Sequence, residues 1–149
     1  MAEDRHPFAR KYDAASPPHE NLYTRIMVSS DGIGVFAIRD IPEGTRLFVG
    51  DLGETVAVPM EEVEAIADAE IRRMYLDFCP LVDGCYVAPP DFNQMTMSWY
   101  LNHSSAAPNV AMLNDLHLVA SKLIRKGEEL RTDYRTFSAH ASDHLKTWT

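Results

Sequence analysis

The sequence predicts a mainly β domain with minor α content. Short runs rich in β-branched and aromatic residues recur along it, each bounded by Gly, Pro, Asn or Asp turn signals. One stretch, 59–76, has a sustained helical periodicity. The chain's 149 residues suit one domain large enough to bury its own core.

Residues 1–21 are polar and contain Pro7, Pro17 and Pro18. They read as a loose arm that Phe8 and Tyr12 could pin to the body. A strand is expected over 22–28, then a turn at Ser29-Ser30-Asp31-Gly32 and a second strand over 35–38. Pro42-Glu43-Gly44 turns the chain, since Pro presets φ and Gly relieves the next corner. Strands follow over 46–49 and 54–58. In the helix at 59–76, Val63, Ile66, Ala67, Ile71, Met74 and Tyr75 share one face. Glu61, Glu62 and Glu64 suit the positive end of its dipole, and Arg72 and Arg73 the negative end. Val82-Asp83-Gly84 leads into a strand over 85–88, which Pro89-Pro90 ends. A short helix is expected over 96–101. A hairpin follows from 110–113 and 116–123 around Asn114-Asp115, then a last strand over 129–133. Residues 137–148 suit a terminal helix, with Leu145 and Trp148 on its apolar side.

Acidic residues outnumber basic ones 22 to 14, a formal charge of −8. That field repels nucleic-acid phosphates and so argues against nucleic acid as a partner. It would draw in a basic protein or a lysine-rich peptide, mainly through the association rate. Solubility is the plain alternative use of the charge. No run of about 18 apolar residues exists, which argues against a membrane span. The first six residues hold no apolar signal segment, so an intracellular, cytoplasmic protein is expected. Cys79 and Cys85 match no common zinc spacing, and free thiols are expected in a reducing compartment. His140 and His144 stand i, i+4, but no Glu follows His140 as in a zinc protease helix, so no metal is expected. Oligomeric state stays open, a homodimer included.

Three blocks carry the chemistry. Asp31-Gly32-Ile33-Gly34-Val35-Phe36-Ala37 leads into Asp40-Ile41-Pro42-Glu43-Gly44. Trp99-Tyr100-Leu101-Asn102-His103-Ser104 is followed by Pro108-Asn109. Gly127-Glu128-Glu129-Leu130 precedes Asp133-Tyr134. In this order and at these separations the blocks resemble the SET-domain family of protein lysine methyltransferases, from about Tyr23 to Phe137. With no cysteine-rich modules flanking it, the chain resembles the bare SET domains of bacteria and viruses. The resemblance implies a SET fold of several short sheets with a C-terminal pseudoknot. The domain would span 22–149, with a helical insert at about 59–78 and a C-terminal segment at 137–149. It also implies S-adenosyl-L-methionine as cofactor and a protein lysine as methyl acceptor.

The reaction needs little acid or base strength. A lysine amine must be neutral to attack, so a dry channel that disfavours the ammonium helps. In-line alignment of nitrogen, methyl and sulfur supplies much of the acceleration. Hydroxyls and carbonyls around the methyl stabilise the polarised transition state. By the resemblance Tyr134 is the catalytic tyrosine, with a core tyrosine as the alternative. Asp133 would anchor structure and not act as a base. Asn102 and His103 match the cofactor-binding pair, and Gly32, Ile33 and Gly34 form a tight bend beside the cofactor. Tyr75, in Met74-Tyr75-Leu76-Asp77-Phe78, resembles a tyrosine that lines the lysine channel. Hydrophobic packing is its alternative, and Tyr86 and Tyr100 compete for the role. Trp148, with Phe137, resembles the C-terminal aromatic that closes the cofactor site, although a residue so near the end also suits a frayed terminus.

Three departures stand out. Ser105-Ala106-Ala107 puts three residues, where two are usual, between Asn-His-Ser and Pro-Asn. Trp99-Tyr100-Leu101 replaces a common Arg-Phe, losing an arginine anchor. Thr132 stands where Phe or Tyr often influences the number of methyls added. They motivate a second reading, a SET-fold binding module for a basic protein with weak or no methyl transfer.

Overall fold

The fold comes from a computed structural model, which describes residues 6–51, 54–113 and 117–138. Two sheets and two cores account for the described residues. The larger sheet is built from β1 Thr24–Ser29, β2 Gly32–Ala37, β3 Arg46–Leu47, β7 Asn102–His103, β8 Val110–Met112, β9 Leu118–Ala120 and β10 Glu129–Thr132. Its order is β1-β2-β10-β8-β9-β3, with β7 also paired to β10. The smaller sheet has the order β4-β6-β5, from Val56–Pro59, Cys85–Ala88 and Leu81–Val82.

β1 and β2 form the expected hairpin, with Ser29 opposite Gly32 across the turn. β10 is central. It runs antiparallel to β2 and parallel to both β7 and β8. Parallel pairing brings Asn102 opposite Arg131 and His103 opposite Thr132. Val35, Ile41, Ile124 and Leu130 are fully buried in the larger core. Each contributes roughly 1.5–3 kcal/mol by leaving water. The smaller core holds Val63, Cys79, Tyr86 and Ala88, with Tyr75, Phe78, Phe92 and Trp99 packed on it.

Several expectations change on contact with the structure. The helix at 59–76 is two helices, α1 Met60–Glu64 and α2 Ala69–Phe78. Asp68 is the cause: its carboxylate accepts from Glu70 N (2.8 Å) and Ile71 N (3.3 Å), capping a new helix. The break resets the faces. Val63 is buried, but Ile71 is half exposed. The strand expected over 46–49 stops at Leu47 because Phe48 takes φ 57°. Phe8 and Tyr12 are exposed and do not pin the arm. The helix at 96–101 is a 3-10 helix, Met97–Tyr100. β8 and β9 pair as the expected hairpin, whose Asn114-Asp115 turn lies outside the described residues. So do His140, His144, Leu145 and Trp148, and with them the expected pseudoknot beyond Ser138. No helix among the described residues is long and apolar enough to cross a membrane.

Candidate active site

A groove of about 390 Å³ opens where the two cores meet. Its floor and walls come from four places. The start of β2 gives Asp31 and Ile33, and the end of α2 gives Asp77 and Phe78. Trp99, Tyr100 and Leu101 lead into Asn102 and His103, and Tyr134 follows β10. The three sequence blocks therefore converge on one cavity. Its size is within the usual range of small-molecule sites.

β10 is the reason they converge. Its ladder to β2 runs at Val35 and Phe36, just after Gly32–Gly34, which open that strand opposite β1 and do not form the expected tight bend, and its ladder to β7 fixes Asn102 and His103. Asn109 braces the same strand. Its side chain donates to Glu129 O (3.0 Å) and accepts from Arg131 N (2.8 Å). The extra residue of Ser105–Ala107 sits in an exposed loop, closed by Ala107 N donating to Ser104 Oγ (3.0 Å). The Asn102 pairing is intact beside it.

An ionic network lies beside the start of β2. The Glu129 carboxylate accepts from Ser29 Oγ, Asn102 Nδ2 and Arg131 Nη2, each at 2.7 Å. Arg131 Nη1 reaches Asp31 (2.6 Å) and the His103 carbonyl (3.3 Å). Asn102 Nδ2 donates a second bond to Ile33 O (3.0 Å). Gly34 makes room for all of this. A Cβ there would sit 2.4 Å from Glu129 Oε2 and 3.0 Å from Asn102 Nδ2. Gly32 has the other glycine requirement, a φ of 105°.

His103 is buried, and its Nδ1 accepts the Tyr134 backbone N–H (3.1 Å). Burial holds its pKa below the ordinary histidine value despite the pull of Asp133, so the ring is neutral at pH 7. The ring stacks at a tilt against Tyr134, centroids 5.2 Å apart. Tyr134 donates its hydroxyl to the Leu101 carbonyl. Burial pushes that phenol well above its usual pKa. Asp133 is held below the usual carboxylate value, first by its hydrogen bond to the Arg135 guanidinium (2.7 Å). It also caps Arg135 N, in keeping with an anchor.

Tyr75 is not brought to the groove. Its ring packs edge-on against Phe92 (4.9 Å) and Tyr86 (6.2 Å) in the smaller core. Tyr100 does line the groove, with Phe78 against it at 5.6 Å. Thr132 is buried within β10. Trp148 lies outside the described residues, and Phe137 packs against Tyr134 at 6.0 Å. Sequence reasoning missed the bridging roles of Glu129, Arg131 and Asp31. One signal was available, since opposite charges at i and i+2 of a strand point to the same face.

The residues present suit S-adenosylmethionine. Aromatic faces line the groove, and Ile33, Asn102 and His103 stand beside them. A protein-family model for the SET domain matches residues 32–135, most of the chain. The chain therefore belongs to the SET-domain family. Members of that family are in general protein lysine methyltransferases that use S-adenosylmethionine. Among solved structures, a Plasmodium falciparum protein provisionally described as a histone methyltransferase matches with 22% identity and a TM-score of 0.48. The match covers 75% of this chain and 92% of that one. No curated protein matches the chain significantly.

Proposed function

We propose that this protein transfers methyl groups from S-adenosyl-L-methionine to the ε-amine of a lysine in a basic protein. The observation that carries the reading is the convergence of Ile33, Asn102–His103 and Tyr134 on one groove in a SET-domain chain. When bound, the cofactor supplies an electrophilic methyl on a sulfonium. Asn102, His103 and the start of β2 at Ile33 would hold it, with Phe78 and Tyr100 offering apolar faces.

Tyr134 then has a defined part. Its proton goes to the Leu101 carbonyl, so its oxygen offers lone pairs to the groove. Those can accept from an amine N–H and so orient the nitrogen. The raised pKa keeps the phenol neutral, which rules it out as a base at neutral pH. The lysine must lose its proton to solvent. From a free pKa near 10.4, that costs about 4 kcal/mol at pH 7.4. A desolvated channel lowers the cost. Asp31 and Asp77 line the groove, each paired with an arginine, Arg131 (2.6 Å) and Arg73 (3.0 Å). The net charge of −8 suits a basic substrate.

The test is incubation with methyl-labelled S-adenosylmethionine and a lysine-rich protein mixture, followed by mass spectrometry. Label on lysine ε-nitrogens is expected. Cofactor binding without label on any protein would replace this reading with that of a binding module.

A further inference from the structure

The segment that leads into the groove is a weak helix held from outside. Met97–Tyr100 make one 3-10 turn with long backbone bonds: Trp99 N donates to Thr96 O at 3.2 Å, and Leu101 N to Ser98 O at 3.3 Å. Thr96 precedes the turn, but its side chain does not cap it. Instead Thr96 Oγ1 (2.5 Å) and Ser98 Oγ (2.9 Å) both donate to Oδ2 of Asp51, which lies 45 and 47 positions earlier in the chain. A tight turn aims that carboxylate. Asp51 N donates to Phe48 O at 3.0 Å, with φ 57° at Phe48 and 104° at Gly50. Left-handed backbone at a phenylalanine is uncommon, and the packing of Phe48 on the larger core holds it there.

From this clamp a chain of hydrogen bonds runs to Tyr134. Asp51 holds the Ser98 side chain, the Ser98 carbonyl accepts from Leu101 N, and the Leu101 carbonyl accepts the Tyr134 hydroxyl. A hydroxyl proton rotates to face its acceptor. The Leu101 carbonyl therefore decides where the Tyr134 proton points, and with it where the oxygen's lone pairs meet the groove. We propose that Asp51 is a positioning residue: through Thr96 and Ser98 it sets the Leu101 carbonyl and so orients the Tyr134 hydroxyl. Asp51 itself does not line the groove. The inference rests on the methyl-transfer reading above and adds to it a residue that acts from outside the cavity.

Asp51→Ala removes the clamp. Asp51 is exposed and lies in neither core, so the variant should fold. Asp51→Asn is the conservative control, because its amide oxygen can still accept from both hydroxyls. Single-turnover rates on a lysine-rich peptide should fall about ten- to a hundredfold in Asp51→Ala, the scale of a small misplacement at a reacting centre. Asp51→Asn should stay close to wild type, and calorimetry should find cofactor affinity unchanged in both. In a Tyr134→Phe background Asp51→Ala should cost little more, since the hydroxyl that it orients is gone. A clamp that serves only the fold predicts the same loss with and without that hydroxyl, and this result would overturn the proposal. So would a normal rate in folded Asp51→Ala. Hydrogen exchange at the Leu101 amide is read without activity. It should be faster in Asp51→Ala than in wild type or Asp51→Asn, and equal exchange in all three would also overturn the proposal. Wild type that methylates no lysine overturns the functional reading instead, and the exchange measurement still decides whether Asp51 holds the turn.

Discussion

Replacing Gly34 by alanine is the sharpest probe of how the groove is built. The backbone there has no positive φ, so alanine meets no conformational penalty of that kind. The obstacle is space. The new Cβ would lie 2.4 Å from Glu129 Oε2 and 3.0 Å from Glu129 Cδ. Ordinary contact needs about 1 Å more, and withdrawing the carboxylate breaks its 2.7 Å bond to Asn102. A hydrogen bond to a charged group is worth roughly 1.5–3 kcal/mol. For a domain near 150 residues that lowers Tm by about 3–12 °C. Cofactor affinity should fall as well, since Asn102 loses its anchor. The diagnostic assay is a double-mutant cycle by chemical denaturation. Once Glu129→Ala removes the carboxylate, Gly34→Ala should cost little, giving a coupling of about 0.5–3 kcal/mol. Costs that simply add would refute the argument, because they would mean that Gly34 and Glu129 do not share the space. Gly32→Ala is the contrast. It faces open space at φ 105°, so its cost of about 1–3 kcal/mol should be independent of Glu129.

Three further outcomes are expected. His103 titrates below its unfolded value near 6.5, so between the two pKa values the unfolded chain holds the extra proton and stability rises with pH. Urea melts should show a loss as pH falls below about 6.5, with a slope of at most ~1.4 kcal/mol per pH unit. His103→Asn should lack that component, and an equal slope in both proteins would contradict the assignment. Burial pushes the Cys79 thiol up to about 12, so at pH 8 iodoacetamide should modify the partly exposed Cys85 while Cys79 reacts only on unfolding. Equal labelling rates in the native protein would count against the smaller core as described. Asp68→Ala should cost ~1 kcal/mol and raise amide exchange in the first turn of α2. Unchanged exchange there would mean that the cap does not start the helix.

Much of the fold was legible because local pattern decided it. β6 falls where the 85–88 run predicts, and the β1–β2 turn sits at its Ser-Ser-Asp-Gly signal. Apolar spacing could not reveal the break at Asp68. A polar residue in an amphipathic run normally reads as solvent-facing, and only its backbone hydrogen bonds mark it as a cap. Tyr75 had the right motif neighbours, but α2 turns it toward Phe92 and Tyr86, a consequence of packing between distant segments. Within the candidate site, the blocks told which residues meet. The Glu129–Arg131 pair is local, but its link from Arg131 to Asp31 spans 100 positions, and no local pattern fixes a contact at that range.

The central claim is that the Tyr134 hydroxyl acts on the reaction as well as on the fold. Its hydrogen bond to the Leu101 carbonyl and its place on the groove allow both roles. Tyr134→Phe removes one oxygen and little volume. Single-turnover rates on a lysine-rich peptide, measured beside thermal melts and cofactor affinity, separate the two. The expected rate is lower by about a hundred- to thousand-fold, the worth of one well-placed transition-state hydrogen bond. Cofactor affinity should be retained, with only a modest change in Tm. A near-normal rate in the folded variant would contradict it.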